Sequence, residues 1–162
     1  MKRSSAARIR GTEAPSAELR LGGWGDNEPL ALLYFGFRAV VKKPDEELAR
    51  HGLGRVHHRI LFFIARSPGL ATSELFRTLD VSKQALHGPL RRLQRERLVQ
   101  SVRDPDNGRQ RRLTLTPRGR ALERRLSGYQ RGLFAAAFRS VGPADAQGFC
   151  AVMRALALEA GG

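Results

Sequence analysis

Apolar residues along this chain fall into stripes at spacings of three and four, with one interval of alternation. The first spacing marks a helix with one buried face, and alternation marks a half-buried strand. Asp26-Asn27-Glu28-Pro29 supplies caps, an acid and a first-turn proline, so a helix begins there. Its stripe is Leu30, Leu33, Phe37, Val40 and Val41, broadened by Tyr34 and Phe35, and is expected to stop near Lys42-Lys43-Pro44. Residues 44–52 then read as a polar connector with at most a short helical turn at 45–50. A second helix is predicted over 55–66, with Val56, Ile60, Phe63 and Ile64 inward, Leu61 and Phe62 widening the face, and Ser67-Pro68-Gly69 ending it. A short helix over 73–79 carries Leu75, Phe76 and Leu79, and Asp80-Val81 makes a turn.

Ser82 is a good N-cap, because its hydroxyl can accept one of the N–H groups that open a helix. The helix predicted over 82–98 puts Leu86, Leu90, Leu93 and Leu98 on one side and Lys83, Arg91, Arg92, Arg95 and Arg97 largely on the others. Gly88-Pro89 lies inside it, and proline removes a backbone bond and crowds the preceding turn, so a kink near His87 or a loosened first turn is expected. Residues 99–103 and 109–116 read as two strands, with Leu113 and Leu115 alternating against Arg112 and Thr114. Between them, Asp104-Pro105-Asp106-Asn107-Gly108 is a dense turn signal, and the whole reads as a hairpin. Thr116-Pro117 opens a long helix with Leu122, Leu126, Tyr129, Leu133, Phe134 and Phe138 along one stripe. Residues 141–143 break it, and a last helix over 144–160 offers Phe149, Val152, Met153 and Leu156 as its buried edge.

These elements give a mainly α fold with a small β-hairpin: a winged helix-turn-helix flanked by N- and C-terminal helices suited to a dimer seam. The chain divides into a basic arm over 1–25, a dimerisation helix and connector over 26–52, a DNA-binding domain over 53–116, and a connecting helix with a C-terminal dimerisation helix over 117–162. The charge supports this division. The 162 residues carry 29 Lys or Arg against 15 Asp or Glu, a net +14. Residues 82–125 alone hold 13 of the cations and 4 of the acids, so +9 of the excess sits on one helix, one hairpin and the helix start behind them. Clustered cations displace counterions from a phosphate backbone, and a helix of this kind fits the major groove of duplex DNA.

At these residues the chain resembles the MarR family of bacterial transcription factors, from about Leu53 to Leu126. The most specific segment is the run from Asp104 to Gly119, with Asp-Pro at the wing, an arginine near its tip, and Leu-Thr ahead of a helix-opening glycine. The resemblance implies a homodimer bound to double-stranded DNA, with Arg109 in the minor groove. It also implies that Ser82, Lys83, Gln84 and His87 meet bases and phosphates. Gly108 stands where the family often has a second arginine, which leaves Arg111 as helper to Arg109. Arg91 is read as a further phosphate contact. The family commonly answers to a small aromatic or lipophilic effector, and Tyr34, Phe37, His58 and Phe62 are the expected lining of its pocket.

Other chemistry is thin. Adjacent histidines such as His57 and His58 point about 100° apart on a helix and rarely share an ion, and neither HExxH spacing nor a nearby cysteine accompanies them, so no metal site and no cofactor is expected. The single cysteine, Cys150, excludes an intramolecular disulfide and reads as packing. No phosphate loop or nucleophile motif is present, so an enzyme is not expected. The first ten residues lack the apolar run of a signal peptide, no stretch is long enough to span a bilayer, and a cytoplasmic protein without a membrane partner is expected. The sequence-specific regulator therefore stands against one alternative, a non-specific architectural or RNA-associated basic protein.

Overall fold

The computed structural model describes residues 24–104, 107–108 and 110–159. Contacts divide the chain into two compact units, residues 1–37 and 38–162. In the first, a single 3-10 turn (Gly25–Asn27) leads into helix α1 (Glu28–Arg50), which carries on into the second unit. Leu30, Leu33, Tyr34 and Phe37 of the first unit are all exposed.

The second unit holds the rest of α1, then α2 (Arg55–Arg66), β1 (Leu70–Ala71), α3 (Thr72–Thr78), α4 (Lys83–Arg95), β2 (Val99–Arg103), β3 (Arg111–Leu115), α5 (Pro117–Val141) and α6 (Pro143–Glu159). The three strands form one antiparallel sheet in the order β1-β3-β2, with Leu113 opposite both Leu70 and Ser101. One core joins Leu48 of α1, Ile60, Leu61 and Ile64 of α2, Leu75 and Phe76 of α3, Leu86, Leu90 and Leu93 of α4, Leu113 and Leu115 of β3, and Leu122 and Leu126 of α5.

The end of α1 departs from the sequence reading. Residues 45–50 continue the helix through Pro44 and do not form a polar connector. Pro44 costs one backbone bond, but Val41, Pro44 and Leu48 are all buried, and that burial carries the helix onward. Helix α4 likewise runs unbroken through His87, Gly88 and Pro89, and its first turn is not loosened: Ala85 N–H donates to Ser82 Oγ at 3.2 Å. Leu86 and Leu90, buried on either side of the proline, hold the segment in place. The helix ends at Arg95, three residues earlier than expected, because Arg97 turns the chain with φ 55°. Strand β1 was not foreseen. The expected buried edge of α6 is instead exposed: Phe149, Val152, Met153 and Leu156 all face outward in the single chain, apart from a ring cluster of Phe149 with Phe134 and Phe138.

The joint behind the reading head is tight. Thr116 caps α5, its Oγ1 accepting from Gly119 N–H at 3.1 Å while donating to Arg97 O at 2.7 Å. A Cβ on Gly119 would lie 1.9 Å from the carbonyl oxygen of Leu98, so only glycine fits there.

Candidate nucleic-acid interface

Helix α4 presents one face to the core and the other to solvent. Leu86, Leu90 and Leu93 are buried, whereas Ser82, Lys83, Gln84, His87 and Arg91 are exposed. Lys83 and Gln84 occupy the first turn, where the helix also directs N–H groups and the positive end of its dipole outward. A phosphate placed there meets both. His87 is steadied by the ring of Phe76, 5.4 Å away between centroids. Arg92 is drawn aside to Glu96, its Nε donating to Oε1 at 2.8 Å.

The wing is braced at its base. Asp104 is nearly fully buried. Its Oδ2 accepts from Arg112 Nε at 2.7 Å, and its Oδ1 accepts from Asn107 N–H at 3.3 Å. Arg112 also reaches the carbonyl of Gly69, tying the wing to the turn before β1. Arg111 is held across the hairpin, its Nε donating to Ser101 Oγ at 2.7 Å and its Nη2 to Ser101 O at 2.9 Å. Arg109, the expected minor-groove residue, lies outside the described residues, as does Asp106.

Between the helix and the wing lies a cleft of about 300 Å³ lined by Thr72, Ser73, Phe76, Lys83, Gln110 and Arg111, among others. It brings Lys83 and Arg111 to one opening. Thr72 and Ser73 were not singled out from sequence. The signal was their position at the start of α3, legible only once β1 placed that start beside α4.

The four residues expected to line an effector pocket fall on two units. Tyr34 and Phe37 are exposed on the first unit's part of α1. His58 and Phe62 are half-buried on α2, with the Arg66 guanidinium 3.7 Å above the Phe62 ring. The Nε2 of His58 is buried and has no hydrogen-bond partner among the described residues. Burial pushes the His58 imidazole below its ordinary pKa, with Glu123 opposing and Arg66 adding to the shift. His57 is also lowered by burial, and its Nδ1 accepts from Gly54 N–H at 3.0 Å at the start of α2. Among the described residues, no three His, Cys, Asp or Glu side chains gather as metal ligands. No described helix is long and apolar enough to cross a membrane.

The sequence model described as "MarR family" matches residues 51–110. Similarity extends well beyond that segment: the HTH-type transcriptional regulator PetP of Rhodobacter capsulatus is 41% identical over 124 residues, 76% of this chain and 75% of PetP. The chain belongs to the MarR family. It is a helix-turn-helix transcriptional regulator, not an enzyme, and its winged helix is a DNA-binding fold. The HTH-type transcriptional repressor Rv2887 of Mycobacterium tuberculosis is 35% identical over 104 residues, covering 64% of this chain and 75% of that protein. Among solved structures, that of MarR superposes with a TM-score of 0.62 at 26% identity, over 82% of this chain and 94% of MarR.

Proposed function

We propose that this MarR-family regulator is a homodimeric repressor that reads a pseudo-palindromic operator in double-stranded DNA. The observation that carries the reading is the split of α4: leucines lock one face into the core, and the opposite face offers Ser82, Lys83, Gln84, His87 and Arg91 to a groove. Gln84 has the amide for a bidentate contact to adenine, and Lys83 reaches guanine or phosphate. Arg109 enters the adjacent minor groove, where narrow width concentrates negative potential. Arg111, oriented by Ser101, supports it at the wing's base.

Dimerisation is supported by apolar surface left uncovered in the single chain. In the first unit this is Leu30, Leu33, Tyr34 and Phe37; in the second, Leu133, Val152, Leu156 and Leu158. Exposure on this scale is characteristic of an interface that a partner covers. Residues 26–52 and 117–162 are the segments that supply it. The repressor role is supported by the similarity to Rv2887.

A small aromatic or lipophilic effector completes the reading, with His58 and Phe62 of α2 against it. The partnerless Nε2 of His58 supports a ligand with a polar group at that end. The test is a competition assay on duplex DNA from the promoter next to the protein's own coding region. Preference over random duplex by about three orders of magnitude supports an operator reader. Equal affinity supports an architectural protein.

A further inference from the structure

We propose that the backbone carbonyl of Ala85 is a further base-reading group of α4, freed by Pro89 and left open by Gly88, and that it accepts a hydrogen bond from the exocyclic amino group of an adenine or a cytosine. The contact presupposes that α4 enters the major groove of an operator, and adds a main-chain group to the side chains that read it.

In an α-helix each carbonyl oxygen accepts from the N–H four residues later. The regular donor to Ala85 O would be residue 89, which is proline and has no N–H. Helix α4 nevertheless runs unbroken from Lys83 to Arg95, so this carbonyl stays in the helix with its regular partner removed. Among the described residues, no group outside the helix takes that place. The Ala85 N–H, by contrast, is engaged by Ser82, reaching its carbonyl oxygen at 3.0 Å and its Oγ at 3.2 Å. The pyrrolidine ring also crowds the carbonyl one turn before it, which tilts that oxygen away from the helix axis.

Ala85 and Gly88 are both exposed, whereas Leu86 and Leu90 are buried. Gly88 lies four residues after Gln84 and three before Arg91, so it stands in the middle of the exposed face. A Cβ there would meet no side chain and no other element within 4 Å, so packing against the rest of the protein does not require glycine. Glycine suits the residue ahead of a helical proline, because a Cβ would crowd the ring. It also leaves the flank beside the Ala85 carbonyl bare. Both residues weaken the helix, and both act on one outward-facing acceptor.

A carbonyl oxygen can only accept. In the major groove the donors are the N6 amino group of adenine and the N4 amino group of cytosine, while guanine and thymine offer acceptors. The contact therefore separates A or C from G or T on the strand it faces. Phosphates carry no donor, so the carbonyl adds nothing to sequence-independent binding.

For the test, the wild-type chain first selects an operator from a randomised duplex library. In that operator, purine replaces adenine or 2-pyrimidinone replaces cytosine, one base at a time, so that each duplex lacks one amino group. Affinities are measured for the wild type and for Pro89→Ala, which restores the missing N–H. At one position the wild type should lose about fivefold or more, the worth of one hydrogen bond, and Pro89→Ala should lose nothing. Elsewhere, including any adenine met by Gln84, the two proteins should respond alike. Gly88→Ala keeps the proline but covers the flank; it should remove the same dependence, and it carries the test should Pro89→Ala misfold. Amino-group deletions that affect wild type and variant alike at every position overturn the proposal and leave the operator reading intact. Selection of no common sequence overturns both.

Discussion

Two side chains are expected to set the behaviour of the reading surface, and a third ties stability to pH. Arg109 is the expected minor-groove anchor. Arg109→Ala should weaken operator binding by about 1–3 kcal/mol and lower the salt dependence by about one counterion. Fluorescence anisotropy across a salt series reads both, and unchanged affinity at physiological salt removes Arg109 from the interface. Asp104 acts on the wing from within, through Arg112 and Asn107. By charge alone, removing an acid beside DNA would strengthen binding. Asp104→Ala is nevertheless expected to weaken it and to cost about 1–3 kcal/mol of folding stability, because the wing loses its brace. Tighter binding by the variant would show that Asp104 merely repels phosphate. His58 links stability to pH. Its folded-state pKa lies below the ordinary 6.5, so the unfolded chain binds more protons in the window beneath that value. Stability is therefore complete above about pH 6.5 and falls as pH drops through the window toward the folded pKa. Urea unfolding between pH 5 and 8 should show this fall, and His58→Phe should reduce it, leaving the share due to His57.

At the level of elements, the joint between α4, β2 and α5 leaves the least room for change. Gly119 packs against the backbone of Leu98 with no room for a methyl group. Gly119→Ala should cost at least about 2 kcal/mol, seen as a lowered denaturation midpoint. A neutral substitution would mean that the two segments separate easily. The elements themselves were largely legible in the sequence where a period coincided with a cap. Ser82 and Thr116 each announced a helix start, and both hydroxyls accept the expected N–H. Three features were not legible, each for a tertiary reason. The two residues of β1 form a strand only because β3 lies beside them. Helix α1 survives Pro44 because that ring and Leu48 are buried by other elements. The apolar side of α6 was visible as a period, but a period does not tell whether the same chain covers it.

At the scale of the whole molecule, the exposed apolar residues of α6 are expected to meet a second copy. Leu156→Glu should leave helix content intact by circular dichroism, convert the dimer to a monomer by light scattering, and weaken operator binding through loss of the second reading head. A variant that stays dimeric would place the seam elsewhere. The α4 face was legible from sequence because it needed only spacing and charge; the clamp of Ser101 on Arg111 was not, because strand register sets it. The central claim is that two copies of α4 and its wing read one duplex, and selection of bound molecules from a randomised duplex library tests it most directly. An enriched imperfect palindrome is expected, with half-sites about 10 base pairs apart and discrimination against random sequence of about a thousandfold. Recovery of sequences with no common element would contradict it, and would leave a basic protein that holds DNA without reading it.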